Sequence, residues 1–200
     1  MIHYNPITST YKLGLQLFRY FQVLSSSLDV VKLGESILTD LQSKTGQTVL
    51  VSLLEGENMV YIFKRESKEE LKYSSSINDS QPITYGVLGK VFMAFFPEDQ
   101  LEMLLKSPLP NYTPYSIVDK DTLLKQLVEI RSSKIAIDEN ETNLGVTGLG
   151  APIFNVDGDA FAAIGVLGPT IQFTPEKIEL TKKQLDLAAK EISAKMGFEY

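Results

Sequence analysis

Residues 149–167 constrain the fold more than any other stretch. Two apolar runs, 149–156 and 160–167, flank Asp157-Gly158-Asp159, a strong turn signal. Strands joined by so short a turn must run antiparallel. Gly168-Pro169 closes the second strand. A second hairpin is expected earlier. Residues 47–54 are rich in Val and Leu, Glu55-Gly56-Glu57-Asn58 turns the chain, and 59–64 returns. A third strand is expected over 71–77, edged with serine, and 78–82 reads as a loop.

Helical periodicity occupies much of the remainder. Val30, Leu33, Ile37, Leu38 and Leu41 recur at helical spacing after the capping candidate Asp29, and Gly46 stops that helix. A helix begins around Gly86 to Gly89 and runs through Phe96, where Pro97 ends it and opens a short helix to Lys106. Residues 107–118 carry three prolines and read as an excursion. Asp119 or Asp121 starts a helix to about Ser133. Thr174-Pro175 starts the last one, with Leu185, Ala188 and Ile192 on its apolar face and Gly197 at its end. Residues 11–24 predict a helix apolar on nearly all sides, suited either to core packing or to a subunit contact. Residues 1–10, with Pro6, read as a linker remnant, leaving 11–200 as one domain. The expected class is therefore α+β, a central antiparallel sheet with helices packed on it.

Composition narrows function mainly by exclusion. There is no cysteine and a single histidine, His3, in the linker segment. Disulfides, thiolate metal sites, cysteine nucleophiles and histidine triads inside the domain are excluded. The net charge is −6, with basic residues scattered. A face that displaces counterions from DNA is not expected in this piece. No signal peptide is evident, and no apolar run approaches the ~20 residues that span a bilayer. A cytoplasmic location and no membrane partner are expected.

Three segments invite chemistry. Asp138-Glu139-Asn140-Glu141 could do acid–base work or hold a cation, but such a run is more often a solvated loop. Asp138, directly after Ile135-Ala136-Ile137, is the member best placed to face inward. Gly86-Val87-Leu88-Gly89-Lys90 fails the nucleotide-loop pattern, since Thr84 and Val91 stand where Gly and Ser/Thr are required. Its open backbone N–H groups could instead attract an anion, or the glycines could simply permit close packing. Gly145 to Gly150 holds three glycines before a strand, where a ligand or another strand could approach.

In order along the chain stand Tyr11-x-Leu13-Gly14, Pro82-Ile83, Gly89-Lys90 with Ala94, and Ala136-x-Asp138-Glu139-Asn140-Glu141. Gly145-Val146, Ala151-Pro152-Ile153-Phe154 and Gly168-Pro169 follow. This ordered set resembles the effector-binding domain of the IclR family of bacterial transcriptional regulators, over about residues 11–197. The resemblance implies a GAF-like sensor fold that follows a winged helix-turn-helix. No counterpart of that DNA-binding part is found here, so the chain reads as a piece of a longer regulator, with DNA reached only through the missing part. It also implies assembly into homodimers or tetramers.

The resemblance places a small-molecule effector between the sheet and the Gly-Lys helix start. Its implied ligand-binding residues are Val87, Leu88, Asp138, Gly148, Gly165 and Leu167. No catalytic residue, cofactor or metal is implied. Gly165 and Leu167 lack the hydroxyls found in members that bind small keto acids. Val87 and Leu88 are bulkier than is common in the family, and Asn78 replaces a frequent glycine. A small, highly charged acid would be poorly paired in such a site, which points to a larger, more apolar one, aromatic or branched. Two alternatives stay open: a stand-alone ligand-binding module without a DNA-binding head, and an enzyme using Asp138 and Glu141.

Overall fold

The computed structural model describes residues 2–5, 10–13, 29–77 and 79–200. Strands β1 (Ile2–Asn5) and β2 (Thr10–Leu13) pair antiparallel as a separate ribbon. The predicted helix over 11–24 is thus corrected at its start, and its remainder lies outside the described residues, as does Asn78. Helix α1 spans Asp29–Thr45. The hairpin β3 (Thr48–Glu55) and β4 (Asn58–Arg65) follows, then the short β5 (Ser80–Pro82). Helices α2 (Gly86–Ala94), α3 (Glu98–Leu104) and α4 (Lys120–Ser133) come next. Strands β6 (Ala136–Glu139), β7 (Val146–Phe154) and β8 (Ala160–Pro169) complete the sheet, and α5 (Pro175–Lys195) ends the described elements.

Six strands form one sheet in the order β5-β4-β3-β8-β7-β6, every pair antiparallel. The α+β class with helices on an antiparallel sheet is what the chain adopts. Strand alternation divides the sheet into two faces. Val49, Val51, Leu149, Ile153, Ile164 and Val166 point to one core, shared with α1 and α5. Leu50, Ala136, Ala163 and Leu167 point to the other, shared with α2, α3 and α4.

Local chemistry explains the boundaries. The Asp159 and Asp157 amides donate to the Asn155 side chain at 2.9 and 3.0 Å, and Gly158 takes φ +84°, so the β7–β8 turn is fixed from within. Thr174 caps α5 by accepting from Lys177 N, with Pro175 in the first turn. Asp119, rather than Asp121, caps α4 by accepting from Thr122 N at 2.8 Å. α2 ends at Ala94, two residues before the expected Phe96.

Residues 71–77 do not form the expected strand; pairing with β4 falls to β5 instead. The reason is where their carbonyls go. Leu71 O accepts from Gln172 Nε2, Tyr73 O from Thr48 Oγ1 and Ser75 O from Lys64 Nζ. Side chains satisfy that backbone, so it needs no ladder. Strand β6 went unforeseen because four residues carry too little pattern.

The glycines of β7 and β8 decide how closely α2 sits. In register, Leu50, Gly165, Gly150 and Ala136 form one row across β3, β8, β7 and β6. A Cβ added at Gly150 would lie 2.9 Å from Val91 Cγ2 and 3.4 Å from Val87 O. One added at Gly165 would lie 2.8 Å from Leu88 Cδ2. The occupant of the room these glycines leave is therefore a helix, rather than a strand. Gly150→Ala is expected to lower unfolding stability by about 1–3 kcal/mol through overpacking. Val156→Ala, at a residue 70 % exposed, should stay within about 0.5 kcal/mol. Urea denaturation of both variants checks this difference.

Candidate ligand-binding site

A cleft opens where the start of α2 meets the sheet. Its floor is a single row of the ladder, since Asp138 pairs with Gly148 and Gly148 with Leu167. Residues from three strands, far apart in sequence, thereby stand side by side on the α2 face. Val87 and Leu88, both buried, close it from above. Of the six residues implied by the resemblance, the cleft lining contains Val87, Leu88, Asp138, Gly148 and Leu167. Gly165 is not in the lining, because Leu88 and Leu167 cover it. The cleft, mouth included, encloses about 350 Å³.

The start of α2 carries no side-chain cap of its own. Tyr85 stands at the N-cap without a capping hydrogen bond, and the first turn holds no acidic residue. The first N–H groups of a helix lack intrahelical partners and favour negative charge nearby. Gly86 begins the helix at φ +71°, a conformation costly for other residues.

Asp138 is buried and does two jobs in the turn beneath α2. Its Oδ1 accepts from Glu141 N at 3.0 Å and its Oδ2 from Thr142 Oγ1 at 2.6 Å. The acidic run is thus not the solvated loop that its composition favours. Asp138 points inward, Glu139 points out, and Glu141 turns back onto buried Lys90. Glu141 Oε2 lies 2.5 Å from Lys90 Nζ, which also donates to Gln126 Oε1 at 3.0 Å and Ile137 O at 3.1 Å. Burial pushes the Glu141 carboxyl above its ordinary value, more than Lys90 draws it down.

Sequence reasoning missed the phenols. Tyr61, Tyr73 and Tyr85 all line the cleft. They come from β4, from the segment after it and from the α2 cap, so no local motif links them. One signal was legible: alternation puts Tyr61 on the same face of β4 as buried Met59. Asn143 Nδ2 donates to Tyr85 Oη at 2.9 Å, which leaves the Tyr85 proton for another acceptor. Burial, reinforced by the neighbouring Tyr85, raises the Tyr73 phenol from 10.0 to about 12, and burial raises Tyr61 as well. Both therefore stay neutral donors at any physiological pH. Among the described residues, Asp138 is the only charged side chain in the lining. Among the described residues no cluster of His, Asp and Glu could hold a metal.

A family model described as "Bacterial transcriptional regulator IclR C-terminal" matches residues 22–194. The chain belongs to this family. It is 28 % identical to the HTH-type transcriptional regulator XynR of Escherichia coli over 198 residues, covering 98 % of this chain and 79 % of that protein. It is 26 % identical to KdgR of the same organism over 189 residues, covering 94 % of this chain and 72 % of that one. Among solved structures, the IclR protein of Thermotoga maritima superposes with a TM-score of 0.82 at 30 % identity, covering 98 % of this chain and 80 % of that one. The inducer-binding domain of PobR from Acinetobacter, solved as a double mutant with 3-hydroxybenzoic acid, superposes with a TM-score of 0.72 at 25 % identity. It covers 81 % of this chain and 96 % of that one. These IclR-family relatives are regulators rather than enzymes.

Two outcomes follow for this IclR-type domain. Because the folded state holds the Tyr73 proton more tightly than the unfolded chain does, raising the pH favours unfolding. Stability relative to Tyr73→Phe should decline as pH rises from 10.0 through about 12, measured as a shift in denaturant midpoint. Glu141→Gln alone should cost about 3 kcal/mol, because it leaves a buried ammonium uncompensated. The double variant Lys90→Met/Glu141→Met should recover most of that loss in a double-mutant cycle.

Proposed function

We propose that this chain is the effector-sensing and oligomerisation domain of a cytoplasmic, DNA-binding transcriptional regulator. Its effector is a small organic acid, larger and more apolar than glyoxylate. DNA is contacted through a separate helix-turn-helix part. Binding in the cleft shifts how subunits, and hence their DNA-binding parts, are posed.

The observation that carries this reading is the cleft between the α2 start and the Asp138–Gly148–Leu167 row. It combines an uncapped helix start, which suits a carboxylate, with neutral phenol donors and apolar walls. Asp138 would repel a second negative charge at close range, and it offers lone pairs to a ligand hydroxyl. A hydroxylated aromatic acid satisfies both ends. The PobR domain was solved with such an acid, which is consistent with this class of ligand.

A calorimetric titration of the protein tests the proposal. 3-Hydroxybenzoate and related aromatic acids should bind and raise the melting temperature. Asp138→Ala should weaken that binding about tenfold or more, the loss of one hydrogen bond to a charged group. Tight binding of glyoxylate or pyruvate, with no response to aromatic acids, would contradict the assignment.

A further inference from the structure

The residues that line the cleft are nearly out of reach of solvent. Val87 and Leu88 are each 2 % exposed, Tyr61 4 %, Asp138 6 % and Leu167 8 %. An acid that touches them must displace a wall, because packed side chains leave no room for added atoms. Most of the walls are fixed. The floor and Tyr61 belong to strands paired in the sheet. The start of α2 is held down at Gly89 and Gly150, where a Cβ would meet Ile83 O at 1.9 Å and Val91 Cγ2 at 2.9 Å. The 138–142 turn is bonded from within by Asp138 and from outside by Thr113 and Ser116.

The remaining wall is residues 66–77. They carry Tyr73 into the lining but belong to no helix or strand. They cross the sheet at Thr48, the ladder partner of Leu167. Thr48 Oγ1 donates to Tyr73 O at 2.8 Å and accepts from Ser67 N at 3.1 Å. The other carbonyls of this strap are held singly, Leu71 O by Gln172 and Ser75 O by Lys64. Glu66 clasps Lys64 and Lys72, each at 2.8 Å, and these partly exposed pairs hold weakly.

Hydrogen bonding is also incomplete at this seat. Among the described residues, four buried side-chain oxygens lack a partner. Ser75 Oγ, on the strap, is one of them. Gln47 Oε1 is another, in the amide chain Gln47–Gln172–Leu71 that anchors the strap. An unpaired buried oxygen costs free energy, so the strap is less firmly committed to its position than the walls facing it.

Resting on the effector reading above, we propose that the 66–77 strap is the gate of the effector site. It lifts from Thr48 to admit the acid and reseats with the Tyr73 ring against it. Tyr73 is then a selecting contact that forms only after the acid has entered. Lys64, Glu66 and Gln172, none of which lines the cleft, set how fast the acid exchanges rather than how tightly it binds.

Thiol labelling of the whole chain tests this, since the sequence has no cysteine and one introduced thiol reports alone. Ser75→Cys places it on the buried side of the strap, and Ser52→Cys places it in the core on β3. Ser76→Cys, on the exposed side of the strap, gives the rate of a free thiol. Under native conditions Ser75→Cys should react with a disulfide reagent at least about a hundredfold faster than Ser52→Cys, because a strap lifts at far lower cost than the domain unfolds. Saturating 3-hydroxybenzoate should slow Ser75→Cys about tenfold and leave Ser76→Cys unchanged. Lys64→Met should raise the association and dissociation rates of that acid together, about fivefold each, with affinity held within about twofold. A merely structural role for Lys64 does not produce that pattern.

Equal labelling of Ser75→Cys and Ser52→Cys overturns the gate. Acid binding, seen by calorimetry, that leaves Ser75→Cys labelling unslowed also overturns it, and the effector reading then stands. If the acid does not bind while Ser75→Cys labels fast and Lys64→Met speeds it further, the strap is a gate and the choice of acid fails.

Discussion

The structure depends on the close seating of α2 against a trough of small residues in the sheet. Gly148, Gly150 and Gly165, with Ala136 and Ala163 beside them, leave no side-chain thickness where Val87, Leu88 and Val91 descend. Gly89 tightens the other side, since a Cβ there would fall 1.9 Å from Ile83 O. A helix held this low on a sheet has little freedom to slide, because packed interiors tolerate few displaced atoms. Its first turn is consequently fixed against the row Asp138–Gly148–Leu167, and the cleft is a by-product of that fixed distance.

The same contact explains how a sensor could work in this fold. The 138–142 turn, held from within by Asp138, is joined to the 107–118 excursion by hydrogen bonds from Thr113 and Ser116. The buried Lys90–Glu141 pair ties that turn back to α2. A ligand that moves any one of these elements loads the others. Few residues lie between the cleft and the outer surface of the excursion, so a modest displacement has a short physical route outward.

Much of the fold was legible because its boundaries are chemical. Asp157-Gly158-Asp159 dictated the central hairpin, and Thr174-Pro175 dictated where α5 begins. Misreadings occurred where backbone needs were met from a distance. Residues 71–77 looked like a strand, yet Thr48, Lys64 and Gln172 satisfy their carbonyls. The acidic run looked solvated because nothing local announces Lys90, some fifty residues earlier in the chain. The fold puts five of the six residues implied by the resemblance in one cleft, and the sixth, Gly165, beneath Leu88. The three phenols were invisible for the opposite reason to Gly165. Each is an ordinary tyrosine in its own segment, and only the tertiary fold brings them together.

The central claim is that the cleft at the α2 start is where this IclR-family domain meets its effector. The most direct measurement is difference electron density from a crystal soaked in an acid that raises the protein's melting temperature. The account predicts density bounded by Leu88, Asp138 and Leu167, with its carboxylate against the first turn of α2. Density only elsewhere, for example in the groove between α1 and α5 near Leu187 and Tyr200, with the cleft unchanged, would contradict it.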